Sequence, residues 1–291
     1  MIKTRQRKLG HLTFDCLNIP DFDQAFGGHT KKAIMDLLPD LRSLSLNDIA
    51  VPAMFMEKLP SLQCFQLCNV ELACQTSKSH VPPPIFTAAS TVMADINSLE
   101  EIHRFYQRSQ QPLPAYVNLT LDVSLPSQAP LTNLLSGSIQ SLRAMTFGAT
   151  SLLDPSNVQL EFGEFEKLTN IRLKRNTLVS QSGRSVLNLL NSCLAPAAAF
   201  LASASSPSNL VDVTVDIDIY GAVEKTDDWE ETISVAKPID ELGSNRLLAQ
   251  HPKLKSITII IFASYIKVKS DQEQAEGNLP PVLEDVIGGY I

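Results

Sequence analysis

The sequence predicts an α/β solenoid in which one parallel sheet lines the concave face of an arc and helices cover its convex face. Three observations predict it. Residues 168–178, Leu-Thr-Asn-Ile-Arg-Leu-Lys-Arg-Asn-Thr-Leu, match the repeat pattern L-x-x-L-x-L-x-x-N-x-L at every fixed position. Weaker copies recur: Leu41-x-x-Leu44-x-Leu46, Leu62-x-x-Phe65-x-Leu67, Leu142-x-x-Met145-x-Phe147, Leu210-x-x-Val213-x-Val215 and Leu254-x-x-Ile257-x-Ile259. Between several copies lie segments with helical apolar spacing. Strand, helix and strand in series need crossover connections, and crossovers make neighbouring strands parallel.

Aligning the copies places eight strands near 9–16, 42–47, 63–68, 115–123, 142–148, 169–174, 211–219 and 255–262. The first rests on Leu9-x-x-Leu12-x-Phe14. The fourth rests on Tyr116-x-x-Leu119-x-Leu121 and contains the glycosylation-type triplet Asn118-Leu119-Thr120. A helix is predicted over 23–38, with Phe26, Ile34, Leu37 and Leu38 as its apolar side. A second is predicted over 85–106, with Val92, Met93, Ile96, Leu99, Ile102 and Phe105. A third covers 185–202, where Pro196 is expected to kink or interrupt it. A fourth covers 228–249, divided by Pro238. The prolines at 82–84, Pro112-Leu113-Pro114 and residues 203–208 read as loops. The repeat region is placed at 1–269 and a C-terminal tail, loose or capping the last strand, at 270–291.

A composition of 44% hydrophobic and 19% charged residues belongs to a folded globular chain. The net charge of -7 argues against a nucleic-acid partner, which calls for a basic face. No apolar run approaches the roughly 18 residues of a membrane span, so no membrane partner is expected. The basic start, Met1 to Lys8, leads into an alternating segment and not an apolar core, which argues against a secretory signal. Five cysteines, Cys16, Cys64, Cys68, Cys74 and Cys193, then suggest reduced thiols in the cytoplasm or nucleus.

Motifs of catalysis and of phosphate or metal binding are not found, so the expectation is a non-enzyme with no catalytic residue, cofactor or metal. Cys64, Cys68, Cys74 and His80 do not have the spacing of a zinc knuckle. Asp216-Ile217-Asp218 alternates like a strand and lacks the Gly turn of a calcium loop. His11, His29, His80, His103 and His251 are scattered and read as surface or turn residues.

Side chains alternate across a strand, so the frame also fixes which residues leave the core. It gives three outward columns. They are His11, Ser43, Cys64, Asn118, Ala144, Asn170, Asp212, Ser256; then Thr13, Ser45, Gln66, Thr120, Thr146, Arg172, Thr214, Thr258; then Asp15, Asn47, Cys68, Asp122, Gly148, Lys174, Asp216, Ile260. Charge concentrates where Arg172 and Lys174 stand beside Asp212, Asp216 and Asp218, and Ile260 breaks the polar rule. These six residues form the candidate protein-binding face. Strands about 4.8 Å apart should let Lys174 pair with Asp216. Two readings stay open: a ladder that only keeps the sheet soluble, or a patch whose Arg172 and Lys174 recognise an acidic partner segment. In either, both cations are expected to contribute little to folding.

The motif and its copies resemble the ribonuclease-inhibitor-like leucine-rich-repeat superfamily, which implies an irregular leucine-rich-repeat solenoid that binds protein. In that class the Asn corresponding to Asn176 bonds backbone groups at the turn leaving its strand, a structural role. The openings Leu38-Pro39-Asp40-Leu41, Leu59-Pro60-Ser61-Leu62 and His251-Pro252-Lys253-Leu254 resemble the repeat regions of fungal F-box proteins. That resemblance implies the substrate-recognition part of a ubiquitin-ligase receptor. The alternative is a leucine-rich-repeat scaffold or regulator unrelated to ubiquitin. The first strand starts at the position where an F-box would lie, so a ligase adaptor is implied only if an F-box lies outside this chain.

Overall fold

The structure, a computed structural model, describes residues 10–19, 21–52, 55, 62–73, 91–108, 110, 112–122, 130–148, 160–179, 186–222 and 245–266. The Pro run at 82–84, Cys74, His80, Pro238 and the tail expected at 270–291 lie outside the described residues. Nine strands form one all-parallel sheet in strict chain order. They are β1 (His11–Ile19), β2 (Ser43–Pro52), β3 (Cys64–Ala73), β4 (Thr91–Asp95), β5 (Asn118–Asp122), β6 (Ala144–Phe147), β7 (Asn170–Val179), β8 (Asp212–Ala222) and β9 (Ser256–Ile266). Flanking them are α1 (Phe22–Ala25), α2 (Gly28–Leu37), α3 (Ile96–Arg108), α4 (Leu131–Leu134), α5 (Val186–Ala202) and α6 (Asn245–Gln250).

The alternation predicted from the motif governs packing. Leu44, Leu46, Phe65, Leu67, Leu119, Leu121, Met145, Phe147, Ile171, Leu173, Val213 and Val215 are all buried. The first outward column is the observed register, running His11, Ser43, Cys64, Thr91, Asn118, Ala144, Asn170, Asp212 and Ser256 across the sheet. The triplet at Asn118 lies inside β5.

Thr91 belongs to a ninth strand where a helix over 85–106 was expected. Val92 and Ala94 point into the core at 0% and 4% exposure, while Met93 between them is 38% exposed. The apolar residues of this stretch satisfy a period of two as well as a helical one. The boundary is set by Asp95, whose Oδ1 accepts the backbone N–H of Ser98 at 2.9 Å and so caps α3. From there the helical reading holds: Ile96, Leu99, Ile102 and Phe105 are buried.

The first predicted helix is divided. Gly27 is extended at φ -66°, ψ 158° and serves as the N-cap of α2, ending the run that began with α1. Glycine pairs cost helix stability, and Gly27-Gly28 is where the break falls. Leu37, expected on the apolar side, is 40% exposed. Pro196 does not interrupt the third helix, which continues through it as α5. Burial of Leu194, Ala197, Phe200 and Leu201 outweighs the lost backbone bond. The ring of Phe200 meets Phe147 at 5.0 Å and Phe162 at 5.3 Å, edge to face.

His251 opens a turn, its carbonyl accepting the Leu254 N–H at 3.0 Å, but it is not a surface histidine. It is 1% exposed, with Ser208 Oγ 2.5 Å from Nδ1 and the Leu201 carbonyl 3.0 Å from Nε2. A carbonyl only accepts, so Nε2 carries the proton and Nδ1 accepts from the Ser208 hydroxyl. The imidazole thereby ties the end of α5 to the loop before β8.

Candidate functional site

The sheet has two unlike faces. One is packed into the core, and the other presents the polar columns, most of them partly exposed. Ser45, at 6% exposure, and Asp216, at 7%, are the buried residues of those columns among the described ones.

The six candidate residues do converge. Lys174, Asp216 and Ile260 are direct register partners on β7, β8 and β9. Arg172 and Asp212 lie at the start of the same strands, and Asp218 pairs in register with Asn176 and Phe262. The expected Lys174–Asp216 ion pair is not the one formed. Arg172 Nε donates diagonally to Asp216 Oδ2. The Arg172 side chain reaches past Thr214, its own register partner, and its planar guanidinium presents Nε–H to the carboxylate. Asp216 Oδ1 is buried with no hydrogen-bond partner among the described residues. Arg172 therefore satisfies a buried carboxylate, contrary to the expectation that it matters little for folding. Lys174 is exposed and makes no ion pair among the described residues. Asp212 Oδ1 accepts the Ser256 hydroxyl at 2.6 Å. Ile260 is partly buried, and Phe262 beside it is 40% exposed.

Asn176 departs from the role the repeat resemblance implies. It is exposed, and it lies mid-strand on the outward face with Asp218 as register partner. The cause is visible by comparison with β2 and β3. There Asp48 and Asn69 both adopt φ 51°, a left-handed conformation that Asp and Asn tolerate. That step ends the outward run and turns Ile49 and Val70, at the positions equivalent to Asn176, into the core. In β7 the alternation continues unbroken beside β8, so the equivalent residue points out.

A second acidic group, not recognised from the sequence, surrounds Cys68. Asp95 anchors it. Its Oδ2 accepts the backbone N–H of Asn69 and the Ser98 hydroxyl, the latter at 2.9 Å, and Ser98 Oγ accepts the Val70 N–H at 2.9 Å. Asn69 Nδ2 donates to Asp48 Oδ1 at 2.8 Å. Burial pushes the Cys68 thiol up from its usual pKa, and Asp95, Asp48, Asp122 and Asp15 add to the rise. A thiol so placed stays protonated and is a poor nucleophile at neutral pH. Asp95 immediately before the apolar-periodic run Ile96, Leu99 and Ile102 is the N-cap signal that identifies this corner as a helix start.

Away from this face, a cavity of about 580 Å³ opens between α3 and the turns from Asn133 to Ser136, lined by Glu100, His103, Arg104, Gln107, Leu113 and Leu134 among others. Arg104 is bonded to Glu100 at 3.1 Å and also to Glu101. Burial lowers the His103 pKa below its usual value, against smaller opposing effects from the Asn133 backbone and Glu100.

Cys64, Cys68 and Cys193 are free thiols. No helix among the described residues is long and apolar enough to cross a membrane. Comparison with protein-family models, with curated proteins and with solved structures gives no match to this chain.

Proposed function

We propose that this chain is a protein-binding module that docks its partner on the outward face of the sheet, without catalysis and without a bound cofactor. The observation that supports this reading is the charge of that face. Among the described residues, Asp15, Asp95, Asp122, Asp212, Asp216 and Asp218 share it with two cations, Arg172 and Lys174, and Arg172 is neutralised by Asp216. Complementarity then favours a partner segment rich in lysine or arginine over an acidic one. Phe262 and Ile260 add an apolar anchor at one end, the composition of a binding centre with a polar surround. In the cavity beside α3, Glu100 and Arg104 are paired with each other, which supports a structural use for both.

The finer reading is a leucine-rich-repeat solenoid acting as the substrate-recognition part of an F-box-like ubiquitin-ligase receptor in the cytoplasm or nucleus. It rests on the repeat pattern and on the Leu-Pro-x-Leu openings. A leucine-rich-repeat scaffold or regulator unrelated to ubiquitin is the second reading. If an F-box lies outside this chain, affinity purification of a protein that carries both separates the two, because a ligase adaptor co-purifies only in the first.

The test of the binding face is charge reversal at Asp212, which is exposed, and Asp218, which is partly exposed. Asp212→Lys with Asp218→Lys is expected to weaken an identified partner strongly and to reduce the salt dependence of binding. Lys174→Glu is expected to preserve or strengthen the complex. An affinity unchanged by the double reversal, in a folded variant, moves the partner off this face.

A further inference from the structure

One outward column carries carboxylates at set intervals. From β1 it runs Asp15, Asn47 and Cys68 in register. Asp95 follows, one step on from the Leu67–Ala94 pair, and Asp122 is the register partner of Asp95. Past Gly148 and Lys174 the column reaches Asp216 and then Ile260. The carboxylates therefore stand on the first, fourth, fifth and eighth strands of the sheet.

Two further observations mark the ends of this column. The Asp216 side chain is 9% exposed, and its Oδ1 has no hydrogen-bond partner among the described residues. A buried carboxylate oxygen without a donor is costly, and a donor brought by a partner removes that cost. Toward β1, burial and then Asp95, Asp48, Asp122 and Asp15 push the Cys68 thiol up, so four carboxylates share one small area. Asp15 and Asp122 are exposed there.

The spacing selects the shape of the partner. Neighbouring strands lie about 4.8 Å apart, so the three intervals are about 14, 5 and 14 Å. An extended chain advances about 3.4 Å per residue, and its even-numbered offsets share one face. Side chains at i, i+4, i+6 and i+10 then fall within about 1–2 Å of the four strands that carry the carboxylates. A helix rises about 1.5 Å per residue and meets the same strands at about i, i+10, i+13 and i+22. Those positions spread over half its circumference, so a helix cannot present all four together.

We propose that the partner docks an extended segment across the strands, with lysine or arginine at i, i+4, i+6 and i+10 over Asp15, Asp95, Asp122 and Asp216. Position i+8 falls at Lys174 and takes an acidic or neutral residue. Position i+12 falls near Ile260 and takes an apolar one. The basic spacing reads the same in both directions, and the apolar residue sets which end lies at β8. This inference rests on the outward face being the binding surface, and adds the conformation and spacing of what binds there.

Fluorescence anisotropy on the full chain with two labelled synthetic peptides tests it. One has arginines at i, i+4, i+6 and i+10. The other has the same composition with arginines at i, i+3, i+7 and i+10. Both carry leucine at i+12 and are otherwise serine and threonine. The first should bind at least about tenfold more tightly. Replacing its first arginine by serine should weaken binding to wild type severalfold and leave binding to Asp15→Asn unchanged. An arginine at i+8 should weaken binding to wild type, and less so to Lys174→Ala. Equal affinity for the two peptides, both lost in Asp212→Lys with Asp218→Lys, overturns the spacing and leaves the face standing as the docking surface. No binding of either peptide at about 1 mM overturns the inference, and charge reversal against an identified partner then decides the face by itself. A bound peptide that turns helical by circular dichroism overturns it too, as does an equal effect of the first arginine on wild type and Asp15→Asn.

Discussion

Arg172 on β7 donates to the carboxylate of Asp216 on β8, while Lys174, directly opposite that carboxylate in the register, is left without an ion pair among the described residues. The two cations therefore have different roles. Arg172→Ala strands a buried carboxylate that already has one oxygen without a partner, and should cost about 1–3 kcal/mol, less than a fully buried pair because the Arg172 side chain is 49% exposed. Lys174→Ala should change stability by no more than about 0.5 kcal/mol. Urea denaturation of both variants checks this, and equal effects would show that Arg172 is not holding Asp216.

His251 makes stability depend on pH. Burial holds its folded-state pKa below the usual histidine value of 6.5, with the Leu201 backbone bond pulling the other way. The unfolded chain then binds a proton more readily than the folded one. The contribution is fully present above the unfolded pKa and is lost as pH falls below it, through the depressed folded value. Melting temperature should drop between pH 7 and pH 5, and His251→Gln should flatten that slope while lowering stability at pH 7. His103 is shifted in the same direction, so His103→Gln is the necessary control. A slope that survives in the His251 variant and vanishes in the His103 variant would reassign the effect.

Asp95 joins a helix start to the turn of the neighbouring strand. Its carboxylate caps α3 through the Ser98 N–H and accepts the Asn69 N–H of β3. Asp95→Ala should cost about 1–2 kcal/mol, as loss of an N-cap does. Asp95→Asn, which keeps an acceptor, should recover part of it. Thermal or chemical melts of the pair provide the comparison, and equal loss in both would point to charge and not capping.

Ile171 is 2% exposed at the centre of the complete repeat motif. Ile171→Asp buries a carboxylate with no partner and should cost several kcal/mol or prevent folding. An unchanged melting temperature in a folded variant would mean that the inward frame of β7 is wrong.

What the chain determined locally was the alternation. Each motif copy places two apolar side chains two residues apart, and a strand sends both to one face whatever surrounds it. The register of eight strands and the three outward columns follow from that spacing, because equivalent motif positions align when successive units stack. β4 escaped notice because Val92, Met93 and Ile96 fit a helix as well as a strand. Only the Asp95 cap, made with Ser98 and the neighbouring β3 backbone, ends the strand there. The tertiary structure also decided Arg172 over Lys174, the burial of His251 and the outward turn of Asn176. Each depends on a partner more than 40 residues away in the chain: Asp216 for Arg172, Ser208 for His251, and Asp218 for Asn176. Periodicity is a property of neighbours in sequence and can be read from it. Which donor meets a carboxylate, and which imidazole loses water, is settled by side chains that meet only once the sheet is assembled.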